Sequence, residues 1–249
     1  MENGLTPNQF EVNKANILAG ERRQLLDTWC AVAADDWFGR PNPQVTRLST
    51  SETAGTFNMD FRHWHNRFGW KAGDALPNRG LCSGAIYRTE RFMVLDQAAR
   101  NGAAANQTVH IEHTIPVSVL DHKWRLVRQA NGWAATSLEG TYAWMLVHSV
   151  TTAFHADEEA GLTGVQRANP AMDDGSPVFG KPFLRYAGHA GVRDAVWNVF
   201  TGKRVDLNGW TFNDHFDTVL GLLAEAGADT GRTAAIQREA ANYLGRFAA

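Results

Sequence analysis

The chain has 249 residues, 44% of them apolar and 20% charged, and a formal net charge of −2. That length and apolar content suffice to bury a full core, while the near-neutral balance excludes a surface built for tight, indiscriminate binding to a polyanion and leaves room only for a local basic cleft. No apolar run approaches the roughly 20 residues that cross a bilayer, and the start Met1-Glu-Asn-Gly-Leu-Thr-Pro7 lacks signal-peptide character, so the expectation is a cytoplasmic protein with no membrane partner.

In chain order, Ile17, Leu18, Leu25, Leu26, Trp29, Val32 and Ala33 recur at helical spacing between Asn13 and Trp37 and predict an amphipathic helix. Gly39-Arg-Pro-Asn-Pro43 should break it and open a loop through Thr46 to Thr56. Phe61-Arg-His-Trp-His-Asn-Arg-Phe68 mixes arginine, histidine and aromatic side chains, as a nucleic-acid contact does. A partly buried aromatic helix with solvated charges explains it equally well, and His63 and His65 alone make a weak metal pair. Cys30 and Cys82 are isolated, which supports neither a disulfide framework nor a zinc knuckle. Asp74 to Gly84 reads as a loop, and Ile86 to Arg100 as an amphipathic helix closed by Asn101-Gly102. On that helix Arg88 and Arg91 share a face.

His110-Ile-Glu-His-Thr-Ile-Pro116 is the densest chemistry in the chain, with three ionisable groups in four residues. The β-branched run from Val109 to Ile115 predicts a short strand that Pro116 ends. Glu112 and His113 are then placed at a strand end, where side chains can leave the sheet. Lys123, Arg125 and Arg128 lie on a short basic helix or turn that follows, and Tyr142 to Phe154 reads as a second strand, rich in β-branched and aromatic residues, able to pair with the first. His155-Ala-Asp-Glu-Glu-Ala-Gly-Leu162 then has the look of a helix start with its acids in the first turn, a position the helix dipole favours without any metal.

Glu112-His113-Thr-Ile-Pro116 resembles the first half of the HNH, or ββα-metal, nuclease motif, and strand, loop, strand, helix is the order that motif requires. The resemblance covers roughly Val109 to Leu162, about a fifth of the chain. It implies that His113 is the general base and that Glu112 belongs to a metal site completed from the helix by Glu159, with Glu158 and His155 as alternatives. The helix carries glutamates where the family has histidine or asparagine, no central asparagine is evident, and the span from Asp121 to Gly140 must be an insertion. What the resemblance implies chemically is a divalent ion, Mg²⁺ or Mn²⁺, at a phosphodiester oxygen, with a neutral imidazole taking a proton from water. Glu112 and His113 are strand neighbours and point to opposite faces unless the strand ends or twists there.

Other metal and nucleotide motifs are absent: His110-Ile-Glu112 matches the first part of the zinc-deaminase pattern without its P-C-x-x-C, and neither a Walker A sequence nor a dinucleotide G-x-G-x-x-G is present. Further on, Lys181-Pro-Phe-Leu-Arg-Tyr186 offers Arg185 to a substrate, Asn198 to Gly209 reads as a turn between short extended pieces, and Phe212 to Ala226 and Thr233 to Phe247 read as terminal helices. The sequence therefore predicts one domain over 1–249, mostly helical α+β, with an embedded ββα-metal core over 109–162 and a helical C-terminal part over 210–249. The function the resemblance implies is a metal-dependent DNA endonuclease, with a restriction-type role as one form of it. Arg88, Arg91 and Arg185 are its substrate contacts, and cutting both strands would suit a homodimer. The alternatives are a non-catalytic nucleic-acid or protein-interaction module with a degenerate core, and a hydrolase of other phosphoesters.

Overall fold

A computed structural model describes residues 8–38, 42–51, 57–68, 82–101, 108–159, 162, 170–187, 192 and 196–245. Its first element is α1 (Asn8–Phe38), a helix longer than the apolar periodicity marks, with Phe10, Leu25, Trp29, Val32 and Ala33 buried. The expected loop after Pro43 is instead a helix, α2 (Pro43–Thr50). Asn42 caps it by accepting from the Gln44 and Val45 N–H groups, and Pro43 occupies the first turn, where its missing donor costs nothing. Residues 52–56 of that loop lie outside the described residues. α3 (Asn58–Asn66) carries the Arg/His/aromatic stretch and buries Phe61, Trp64 and His65 on one side. Asp74 to Leu81 likewise lie outside the described residues.

The segment read as one helix from Ile86 is a strand, β1 (Tyr87–Thr89), followed by two short helices, α4 (Glu90–Met93) and α5 (Gln97–Asn101). Thr89 accounts for the switch: extended itself, it accepts from the Phe92 N–H and starts α4. β2 (Val109–His113) lies where the sequence placed it. α6 (Val117–Ala130) follows, longer than the basic turn expected, with Val117, Leu120, Trp124 and Arg128 on its buried stripe.

α7 (Leu138–His148) corrects the second-strand reading, which holds only for its last part, β3 (Thr151–His155). Every residue from Gly140 to His148 is buried, so this helix has no polar face, and an apolar run without periodicity looks the same as a buried strand. Ser137 starts it by accepting from the Gly140 N–H. β3 leads into α8 (Ala156–Glu159); a 3₁₀ turn (Pro170–Met172) and α9 (Leu184–Ala187) come next. β4 (Val196–Asn198) and β5 (Lys203–Arg204) form a short hairpin, with β5 inside the stretch read as a turn. α10 (Phe212–Glu225) begins in a capping box between Thr211 and Asp214, and α11 (Thr230–Leu244) is capped by Asp229.

The fold is thus α+β and mostly helical, with a mixed five-stranded sheet in the order β2-β3-β1-β4-β5. β1 runs parallel to β3 and the other pairs are antiparallel. Buried side chains from the helices and the sheet merge in one apolar cluster. Among the described residues no helix is long and apolar enough to cross a membrane.

Candidate active site

β2 and β3 pair from Val109 opposite His155 to His113 opposite Thr151, and α8 leaves the end of β3. Two paired strands and a short helix thus follow one another as expected, but the loop expected between the strands is replaced by the two helices α6 and α7. Regular pairing through Glu112 and His113 keeps the alternation of side chains intact, so the two residues face different neighbours.

His113 turns toward α3. Its Nε2 lies 3.1 Å from Nδ1 of His65, and Nε2 of His65 lies 2.8 Å from the Ser149 hydroxyl, just beyond α7. Both imidazoles are held below their ordinary pKa. For His65 the causes are burial first, then His113 and the positive charge of Arg62. For His113 they are burial, then Arg62 and His110, and its pKa falls to about 3. Both rings are therefore neutral at neutral pH, the form that accepts a proton, but a pKa this low makes His113 a weaker base than one poised near the working pH.

Glu112 occupies the other side of β2. Its Oε1 lies 2.6 Å from Arg185 Nη2, and both side chains are more than nine-tenths buried. The Nη2 hydrogens are not aimed at the carboxylate, so the contact is an ion pair more than a hydrogen bond. Arg185 also donates through Nη1 to the His113 and Thr114 carbonyls at 3.3 and 3.2 Å, which ties the end of β2 to α9. Beside them the Thr114 hydroxyl meets the Tyr186 hydroxyl at 2.9 Å. Nε2 of His110, on the same strand face two residues back, is 3.8 Å from Glu112 Oε2.

The acids of α8 are elsewhere. Glu158 is buried, and its Oε2 accepts from the His155 backbone N–H at 2.9 Å and from Thr89 Oγ1 at 2.6 Å, closing the helix start against β1. Its Oε1 has no hydrogen-bond partner, and burial raises its pKa. This carboxyl sits by the Val109–His155 end of the ladder, whereas Glu112 is opposite Thr152, about 10 Å along the strand at ~3.4 Å per residue. The structure does not bring Glu112 and Glu158 together. The Glu159 side chain lies outside the described residues.

Of the arginines, Arg88 is completely buried and bonded to the Ala85 and Ser83 carbonyls, Gln24 and Glu21. Arg100 reaches the same Glu21 carboxylate at 2.8 Å, so Arg88 belongs to an internal ion cluster. Arg91 is exposed and pairs with Asp157 at 3.2 Å near α8.

No protein-family model, curated protein or solved structure matches this chain. The site must therefore be judged by its donors. Among the described residues no group of three or more His, Cys, Asp and Glu side chains is placed to hold a metal. Magnesium, however, keeps several waters and is held by as few as one or two carboxylates. The Glu112 carboxylate, with the His110 imidazole beside it, is closed by Arg185 and is open to such an ion only where that guanidinium releases it.

Sequence reasoning singled out Glu112 and His113, and it mentioned His65 only as a weak ligand. Ser149 carried no signal, because it lies inside the stretch read as a strand.

Proposed function

We propose that this chain is a metal-dependent phosphodiester hydrolase of the HNH type acting on DNA, with His113 as general base. One observation carries the reading: a neutral, half-buried imidazole sits at the end of β2 with its ring held by His65, within the strand-strand-helix order that Glu112-His113-Thr-Ile-Pro116 led us to expect. Glu112, with His110 beside it, would hold the divalent ion, Mg²⁺ or Mn²⁺, only with Arg185 released from it and with the end of β2 twisted, since it lies on the face of the strand opposite His113. When bound, such an ion withdraws charge from a phosphoryl oxygen.

The chain's own groups supply the remaining steps. His113 takes the proton of the attacking water. Arg62, whose charge acts on His113, attracts the phosphate. Arg185 is closed against Glu112 with its Nε and Nη2 buried, so in this arrangement it ties the end of β2 to α9 and offers nothing to a phosphate. Arg91 is the exposed cation beyond α8 for a more distant phosphate.

A second reading has an observation in its favour: the Glu112 carboxylate is closed by Arg185 and more than nine-tenths buried. A nucleic-acid or protein-binding module that keeps the fold without cutting would look like this.

Incubation of plasmid and single-stranded DNA with Mg²⁺, Mn²⁺ or EDTA separates the two, using the native protein beside a folded His113→Ala variant. Metal-dependent cutting that vanishes in the variant supports the hydrolase. Binding by the native protein without cutting supports the module. Cutting that survives in the variant removes His113 from the mechanism.

A further inference from the structure

Between α6 and α7 the structure leaves a cavity of about 260 Å³, bordered also by the 170–180 segment and by Tyr243 of α11. That volume lies just below the usual range of small-molecule sites. One side of α6 faces it, since Lys123, Leu126, Val127 and Ala130 recur at the three- and four-residue spacing of a helix stripe. Trp144 and His148, four residues apart on α7, form its floor and are 2% and 3% exposed.

The lining is held in place by the fold itself. The His148 ring donates through Nδ1 to the Trp144 carbonyl at 2.7 Å and lies against the Trp144 ring, with 4.7 Å between centroids. Trp144 is backed in turn by Trp124 at 5.0 Å, and Tyr243 meets His148 edge-on at 6.3 Å. Met172 and Phe179 come from the 170–180 segment, which the Gly180 N–H closes on the Ala171 carbonyl at 2.9 Å. The Gly180 carbonyl accepts from the Phe212 N–H at the start of α10, also at 2.9 Å. Four aromatic rings and a thioether, from separate parts of the chain, thus border one space. A lining fixed in advance loses little of a ligand's binding energy to ordering.

Aromatic faces attract cations, and organic ammonium groups most of all, because they shed water easily. The rim has the matching charge. Lys123 lines the cavity, but its ammonium is 2.9 Å from Asp173, and Asp174 adds a second carboxylate. Among these described rim residues two aspartates stand against one lysine, a formal sum of −1. Leu126, 44% exposed, leaves an apolar surface at the mouth. An inorganic anion would meet the carboxylates there, and a bare metal ion would gain little from the thioether and the apolar wall.

We propose that this cavity binds an organic cation, a trimethylammonium group on a short alkyl chain. The head lies among Trp144, Phe179 and Tyr243, balanced by Asp174, and the chain runs toward Leu126. The proposal is independent of the hydrolase reading, because no residue of the cavity belongs to the site around Glu112 and His113.

The test is calorimetric titration of the full-length protein at neutral pH with three probes: choline, neohexyl alcohol, which is its uncharged isostere with carbon in place of nitrogen, and benzoate. Choline is expected to bind at least about tenfold more tightly than the alcohol, the margin of a desolvated cation–π contact, and more tightly than benzoate. Phe179→Leu keeps the apolar volume and removes a ring, and should weaken choline about 5- to 10-fold while affecting the alcohol far less. Asp174→Asn changes an exposed position that the fold does not depend on, and should weaken choline about threefold. Equal affinities for choline and the alcohol would make the cavity merely apolar and overturn the cation. Tighter binding of benzoate would assign the site to Lys123 and overturn it as well. Choline binding unchanged in both variants would place it elsewhere on the protein, and no choline binding at all would reject the site.

Discussion

His215 gives the sharpest quantitative expectation in the molecule. It lies on α10, 1% exposed, with Nε2 3.1 Å from the Leu146 carbonyl and Nδ1 2.9 Å from the Tyr87 hydroxyl. A carbonyl only accepts, so Nε2 must carry the proton and Nδ1 must accept from Tyr87. The Tyr87 oxygen in turn accepts from Trp210 Nε1 at 3.0 Å. Protonating Nδ1 would point two donors at each other in a buried site, and burial accordingly lowers the His215 pKa to about 3. Because the folded pKa lies below the unfolded value of about 6.5, the unfolded chain binds the extra proton between those limits. The His215 contribution is intact above pH ~6.5 and is lost as pH falls toward 3, at about 1.4 kcal/mol per pH unit within that window. From pH 6 to 4.5 this amounts to about 2 kcal/mol. Urea unfolding of the native protein and of His215→Phe across that range measures it. The variant should lose about 2–4 kcal/mol at pH 7, from a buried carbonyl that loses its donor and a buried hydroxyl that loses its acceptor, yet fall less steeply with acid by one proton's worth. Equal slopes in the two proteins would refute the reasoning.

Other expectations concern the charges. Glu21→Gln removes the carboxylate shared by Arg88 and Arg100 and should cost about 3–5 kcal/mol by leaving two buried guanidinium groups short of a counter-charge; a loss below about 1 kcal/mol in urea unfolding would contradict the internal-cluster description. Arg91→Ala breaks only an exposed pair and should change stability by less than about 1 kcal/mol, while weaker DNA binding in a filter assay would reveal it as a phosphate contact. Arg185→Met frees Glu112 from its guanidinium partner and should tighten Mn²⁺ binding about tenfold, or ~1.4 kcal/mol, by electron paramagnetic resonance titration; an unchanged affinity would argue against Glu112 as the ion's ligand.

What the sequence revealed follows the range over which each signal acts. β2 and its terminating Pro116 were legible because β-branching and a missing donor act locally. The α10 and α11 helices were legible because Leu222, Leu223 and Ile236 recur on one buried side above strong caps. Tyr142 to Val147 misled, since a helix buried on all sides loses the periodicity by which helices are recognised. Asn42-Pro43 misled in the opposite way, a turn pair serving as a helix start. Within the site, Glu112 and His113 were legible as a local motif, and Glu158 in a first-turn position was legible as a helix-start acid, which is how it bonds to the His155 N–H. The link from His113 through His65 to Ser149 was not, because only tertiary packing of α3 and α7 against β2 creates it.

The placement of β1 has a consequence for how the protein is made. The first strand among the described residues ends up between two that come much later, with Tyr87 paired to both Thr152 and Asn198. A ribosome therefore releases Ile86 to Thr89 long before either neighbour exists, and two large loops must close before that strand has company. Folding should be slow for a protein so rich in helix, with its rate set by non-local pairing. Through that interval the nascent segment presents unpaired amide and carbonyl groups beside apolar side chains, the condition under which chains capture one another. Expression yield should then depend strongly on synthesis rate and temperature, more than the stability of the finished fold would suggest.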